Sequence, residues 1–277
     1  VRKDDLGFYF TTCGWMMCNW FVSALSLGAT IVCYDGNPFY PEPDALIKMA
    51  DELNFTLFGT SAKYIASLEA AGVKPREISD FPKMRLITST GSPLSDESFE
   101  YVYRDWKKDA QLASISGGTD IISCFVLGCP ILPVYRGEIQ CRGLGMDVDS
   151  LDENGRSVRE EKGELVCRTA FPSMPIYFWN APMGEKYRSA YFTDYLGIWR
   201  HGDYIRISDH GGITMFGRSD ATLNPGGVRI GTSEIYRVLE SMVEIAAAVV
   251  IGPQFQGDER VLLFVQLRQN YELTEEV

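Results

Sequence analysis

Arg218 and Arg229 bracket a stretch that could do chemistry: GRSDATLNPGGVRIGTSEI, residues 217–235. Each arginine carries a permanent positive charge on a planar fork of donors, which suits a phosphate or a carboxylate. Gly226 and Gly227 let backbone approach a ligand or take positive φ. Thr232 or Ser233 can cap a following helix, with Glu234 placed well in its first turn. A Gly-rich turn carrying two surface arginines has the same composition, so this stretch alone decides nothing. Two further segments offer bare backbone to a ligand: Thr90-Gly91-Ser92-Pro93 and Ser116-Gly117-Gly118-Thr119-Asp120. In isolation each is also an ordinary turn. Asp203, in His201-Gly202-Asp203, reads on its own as a turn carboxylate.

Several chemistries have too little material. The chain has only 2 histidines, His201 and His210, so a zinc centre or a histidine-based triad is disfavoured. Its 7 cysteines are odd in number and form no C-x-x-C pair, and several sit in apolar runs; reduced thiols and a cytosolic setting are expected. A formal net charge of -11 argues against nucleic acid or an anionic membrane as partner, so any anionic ligand must be met by local charge. No apolar run is long enough for a membrane span, and no signal peptide is expected. The length of 277 residues, 45% of them hydrophobic, supports one large or two modest folded domains. The chain begins with Val1 and not Met, which suggests a piece of a longer protein.

The elements that must position these groups alternate at first. Strand signals at 8–11, 30–34, 55–58, 85–89 and 112–115 are separated by helical patterns at 15–27, 44–53, 61–71 and 96–106. That order predicts a parallel α/β unit over 1–130. Ligands of such sheets lie at the carboxyl ends of strands, where the loops at 90–93 and 116–120 follow. From about Leu132 short β runs joined by turns predict an antiparallel, barrel-like unit over 131–217. It includes a strand at 163–167, a loop-rich stretch at 172–188 and a hairpin turning at Asp209-His210-Gly211. The remainder, 218–277, reads as the start of a small α+β domain. Ile235, Val238, Leu239 and Met242 form a helical stripe expected to face a core, followed by strands at 246–251 and 261–267.

The stretch at 217–235 resembles the hinge motif of the adenylate-forming enzymes, the acyl-CoA synthetase superfamily: G-R-x-D, a short gap, G-x-R-[IL]-G and a Glu-Ile helix start. Other strings resemble the same superfamily in the same order: Thr11 to Met17, Phe58 to Tyr64, Ser89 to Leu94, Ser114 to Asp120 and Pro133 to Gln140. The resemblance covers almost the whole chain. It implies an α/β fold and an AMP-forming acid–thiol ligase that uses ATP, CoA and Mg²⁺. The implied acid is acetoacetate; acetate, propionate or a hydroxy acid are the alternatives, as is a non-catalytic nucleotide-binding product.

By that resemblance, Gly91, Ser92 and Pro93 line the adenine site. Ser116, Gly117, Gly118, Thr119 and Asp120 stand for the family's aromatic-Gly-x-Thr-Glu loop, with Thr119 on the α-phosphate and Asp120 supporting the metal. Ser116 replaces the aromatic that often stacks on adenine. Asp203 accepts from the ribose hydroxyls, Arg218 contacts the nucleotide and Arg229 the phosphate of AMP. Asp220 is the hinge, and Asn224 and Gly227 face the CoA channel. Trp15, Met16, Thr90 and Gly117 line the acid pocket; acetate-activating relatives carry a tryptophan in the floor of that pocket, so Gly117 implies room for a longer acid. The family's phosphate loop would precede Val1, and the lysine that drives adenylation would lie beyond Val277. The 277 residues alone are therefore expected to show no pyrophosphate exchange.

Overall fold

Parallel pairing dominates the first part of the chain. In the computed structural model the described residues are 1–181, 183–219, 222–223, 230–240, 242–255, 258–269 and 271–272. The first elements are β1 (Leu6–Tyr9), α1 (Met16–Val22), β2 (Thr30–Val32), α2 (Ala45–Glu52), β3 (Leu57–Ser61), α3 (Ala62–Ala70), α4 (Pro75–Ile78), β4 (Leu86–Thr90), α5 (Asp96–Tyr101) and β5 (Gln111–Ser114). The five strands form one sheet in the order β2-β1-β3-β4-β5, every pair parallel. Parallel neighbours need crossovers, and the helices supply them. Ser61 and Ser95 open α3 and α5 by accepting from the backbone N–H of Tyr64 and Ser98, each at 3.2 Å. The core beneath is aromatic and aliphatic: Phe8, Phe55, Phe58, Ile65, Ile87 and Leu112 are all but sealed from solvent. Phe8 and Phe55 stack at 5.2 Å, and Trp106 meets Phe58 edge-on at 5.1 Å.

Local detail departs from the sequence reading at several places. The helix expected to run to 106 changes at its end into a π-helical segment, Val102–Trp106. Antiparallel pairing starts well before Leu132. Strand β6 (Ser116–Gly118) follows β5 almost directly and pairs antiparallel with β7 (Ser123–Leu127), which pairs with β8 (Cys141–Arg142). The segment expected as a loop at 116–120 is thus extended over its first half.

A second antiparallel sheet contains β9 (Val148–Leu151), β10 (Gly163–Cys167), β11 (Trp199–Ile207) and β12 (Ile213–Arg218), ordered β12-β11-β10-β9. The hairpin β11–β12 turns at 208–212 as its sequence requires. One core serves both antiparallel sheets, since Phe125 and Val126 of β7 are buried with Leu165, Trp199, Ile205 and Ile213. An isolated bridge also pairs Ile139, two residues before β8, with Ile213 of β12. The loop-rich stretch before β11 also holds α6 (Glu185–Tyr191), whose Tyr191 stacks on Trp199 at 3.6 Å between ring centres.

The last part comprises β13 (Thr222–Leu223), β14 (Ile230–Gly231), α7 (Thr232–Glu240), β15 (Ile245–Ile251), β16 (Gln254–Phe255), β17 (Asp258–Glu259) and β18 (Leu262–Leu267). Strands β15 and β18 pair antiparallel. Thr232 begins α7 and does not precede it as a cap. The expected stripe is only partly inward: Leu239 is buried, but Val238 is 63% exposed and Met242 lies past the helix end. Among the described residues no helix is long and apolar enough to cross a membrane.

Asp149 ties β9 to its surroundings. Its buried carboxylate accepts from Arg159 at 2.7 Å, Ser157 at 2.9 Å, the Ser150 N–H at 2.9 Å and Arg168 at 2.8 Å. Burial alone would raise its pKa, but the bonds from Arg159, Ser157 and Ser150 outweigh that and hold it below the ordinary value. A lowered carboxylate pKa adds stability above the unfolded value of 3.8 and loses it as pH falls through the folded value. Asp149→Asn is expected to cost about 1–3 kcal/mol at neutral pH, the range for stranding buried donors. Urea titrations should show the variant and the parent converging as pH drops below the ordinary carboxylate range.

Candidate functional site

The carboxyl ends of β4 and β5 open into a cavity of about 340 Å³. Three sets of elements wall it. The first is the parallel sheet and its loops: Trp15, Met16 and Met17 at the start of α1, Thr90 to Pro93 after β4, and Ser114 and Ile115 at the end of β5. The Thr90 hydroxyl donates to the Ile115 carbonyl at 2.9 Å and pins the two strand ends together. The second wall is antiparallel: Ser116 to Thr119, Ser123 and Cys124, with Asp203, Met215, Gly217 and Arg218 from the β11–β12 hairpin. The third is α7, through Thr232 and Tyr236.

The cavity has a chemical gradient. Its inner side meets a small apolar cluster in which Met16, Met17 and Ile115 are buried with Tyr9 and Phe21, and Trp15 and Cys124 pack against it. Burial pushes the Cys124 thiol up to about 11, so it stays protonated and lines the wall as a small neutral group. Other lining residues are polar, among them Thr119, Asp203 and Arg218.

Asp203 and Arg218 face each other by strand register, one on β11 and one on β12. Their nearest charged atoms are 3.9 Å apart. The Arg218 guanidinium also reaches the His201 carbonyl at 3.5 Å. A buried carboxylate behind them fixes the pair: Glu164 on β10 accepts from the Gly202 N–H at 3.1 Å and from the Ser219 hydroxyl at 2.8 Å. These are the residues next to Asp203 and Arg218 in the chain. Arg200 lies 3.3 Å from the same Glu164 oxygen. Burial raises the Glu164 pKa, against the opposing pull of Ser219, Arg200 and Gly202.

Glycine at 117 and 118 is a packing requirement. A Cβ on Gly117 would come within 2.0 Å of the Ser123 carbonyl oxygen, because β6 and β7 run in close contact there. A Cβ on Gly118 would sit 2.8 Å from the His201 ring. The space at Gly117, where the family resemblance implies room for a longer acid, is therefore bounded by β7 backbone on the side where a side chain would project.

Most residues singled out in the sequence converge. Trp15, Met16, Thr90, Gly91, Ser92, Pro93, Ser116, Gly117, Gly118, Thr119, Asp203 and Arg218 all line this one cavity. Asp120 does not line it: it is exposed, and Tyr191 donates to its Oδ2 at 2.6 Å. Asp220, Asn224, Gly227 and Arg229 lie outside the described residues. Sequence reasoning missed Cys124, Met215 and Tyr236. Met215 could have been found from the alternation of Ile213, Met215 and Gly217 along one strand face. Cys124 and Tyr236 arrive through long-range folding and carry no local signal.

Comparison with known proteins agrees with this geometry. A family model described as AMP-binding enzyme matches residues 3–178. Acetoacetyl-coenzyme A synthetase of Rhizobium meliloti (strain 1021) is 58% identical over 99% of this chain, and acetoacetyl-CoA synthetase of Gallus gallus is 48% identical over 100% of it. The chain spans 42% of the length of each. The structure of acetoacetyl-CoA synthetase from Streptomyces lividans superimposes with a TM-score of 0.90 at 42% identity, covering 100% of this chain and 42% of that one. With its family model matched over more than half its length and the motif residues gathered around one cavity, the chain belongs to the AMP-binding enzyme family.

Proposed function

We propose that this chain is part of an AMP-forming acid–thiol ligase whose acid is acetoacetate. One observation carries the reading: an apolar recess and a polar wall share a single cavity, in a chain that is 58% identical to an acetoacetyl-coenzyme A synthetase. A carboxylate is a poor acyl donor because its oxygen leaves badly. Attack of that oxygen on the α-phosphorus of ATP breaks the bond to the β-phosphate and releases pyrophosphate, leaving an acyl-adenylate. The CoA sulfur then attacks the acyl carbon and AMP departs. The thiol proton passes to solvent.

Each residue has a part in this scheme. Gly91 to Pro93 offer backbone to the adenine, and Asp203 accepts from the ribose hydroxyls. Thr119 binds the α-phosphate, and Arg218 stabilises the charge that develops on it. Trp15, Met16, Thr90 and Gly117 enclose the short acid. Outside the described residues, Arg229 takes the AMP phosphate, Asn224 and Gly227 face CoA, and Asp220 is the hinge. The seven free cysteines suit a reducing, cytosolic compartment.

Asp120 is the residue that would hold Mg²⁺. Its carboxylate is exposed and keeps one oxygen not given to Tyr191. Mg²⁺ is commonly held by one or two carboxylates, with phosphate oxygens and water completing its shell, and this donor set fits that habit. Bound there, the ion would neutralise phosphate charge.

The test uses the full-length protein with ATP, CoA and a panel of acetoacetate, acetate, propionate and 3-hydroxybutyrate, following AMP release. Acetoacetate is expected to give the highest kcat/KM. Preference for another acid would overturn the choice of substrate, and no AMP with any acid would overturn the ligase reading. Asp203→Ala is expected to raise the KM for ATP about tenfold to a hundredfold, from losing charge-assisted hydrogen bonds of about 1.5–3 kcal/mol.

A further inference from the structure

His201 lies behind the cavity wall, touching two groups that line it, Gly117 and Asp203, and the ligase scheme gives it no task. It lies on β11, two residues before Asp203, and only 8% of its surface is exposed. Its Nε2 is 3.2 Å from the Gly117 carbonyl oxygen and 3.5 Å from Asp203 Oδ2. Both neighbours are acceptors, so Nε2 must carry a hydrogen for either contact to be favourable. The other ring nitrogen, Nδ1, is buried without a partner among the described residues. A buried nitrogen with nothing to bind is costly, and a side chain kept there only for packing would do better without it.

The ring is held firmly. Phe125 packs edge-on against it with centroids 4.7 Å apart. Gly118 lies so near the ring that a Cβ there would come within 2.8 Å of it. The imidazole therefore touches β7 through Phe125, β6 through Gly117 and Gly118, and the Asp203 carboxylate. Strand β6 leads directly into Thr119. Asp203 lies on β11 and Thr119 directly follows β6, and the two strands are not paired with each other.

We propose that His201 is a positioning residue: its Nε2–H, shared between the Gly117 carbonyl and Asp203, sets the spacing between the strand that leads to Thr119 and the carboxylate that receives the nucleotide. The inference rests on the nucleotide site assigned above. A donor placed between the Gly117 carbonyl and the Asp203 carboxylate favours one orientation of both acceptors at once, and so adds to the hold that Arg218 has on Asp203. Orientation of this kind affects nucleotide affinity more than fold stability, because the packing contacts of the ring remain available to any side chain of similar shape.

The experiment takes the full-length protein and compares His201→Gln, His201→Asn and His201→Leu. A glutamine amide can place its nitrogen near the Nε2 position; an asparagine amide is too short to reach the Gly117 carbonyl; leucine fills space without a donor. ATP KM, kcat and Tm are measured for each, with Asp203→Ala as the reference. The expected result is a rise in ATP KM of about tenfold for Leu and Asn, as for loss of one good hydrogen bond, with recovery in Gln. Equal ATP KM values for Gln, Asn and Leu would overturn the proposal, as would a change confined to Tm. If Leu does not fold, the Gln and Asn pair decides in the same way. An unchanged ATP KM in Asp203→Ala would instead sink the nucleotide site itself, so the two failures are told apart.

Discussion

A carboxylate kept from water holds the polar wall of the cavity together. Glu164 binds the backbone beside Asp203 and the hydroxyl beside Arg218, so one buried group sets both members of a cross-strand pair. The cost of burying it is visible as a raised pKa, and the bonds from Ser219, Arg200 and Gly202 offset part of that cost. The β10–β11 ladder shifts register just after Glu164, and the β11–β12 ladder shifts just after Tyr204. These irregularities fall where a regular ladder would have to yield to the site. The rest of the wall follows from this anchor: Arg218 over Asp203, and His201 beneath β6.

Much of this could be read from residues. The parallel sheet was legible because strands such as Leu86–Thr90 are short runs of apolar and β-branched residues separated by helical patterns with serine caps. The hairpin around His210 was legible because turn residues interrupt two alternating strands. The motif residues that line the cavity were legible through their likeness to a known family, with little help from periodicity. What escaped depends on distance in the chain. Nothing local announces that Tyr191 reaches Asp120, since the contact exists only once α6 stacks on Trp199. Ser116 to Gly118 looked like a loop because three small residues carry no strand propensity; pairing with β7 makes them a strand. Val238 looked inward by helical spacing, yet the sheet beside α7 covers Leu239 and leaves Val238 in water.

Gly117 joins a sequence-level idea to a geometric limit. As a replacement for a bulky residue it suggests an enlarged pocket. In the fold it is also the point where two strands approach too closely for any Cβ, so the shape of the cavity there is set by the approach of β6 to β7. A pocket shaped by backbone is less easily altered by one substitution than a pocket shaped by a side chain.

The three walls are not joined with equal strength. Two are continuous with hydrogen-bonded sheets and buried cores. The third, α7, packs against β12 and is also tied to the antiparallel side by an ion pair between Lys162 and Glu234 at 2.6 Å, both partners about a third exposed or more, with the Lys162 ammonium also resting over the Tyr204 and Phe216 rings. Exposed pairs of this kind contribute on the order of 0–1 kcal/mol and are screened by salt. Ionic strength therefore acts on the cavity unevenly: added salt loosens the tether of one wall while leaving the framework of the other two as it was.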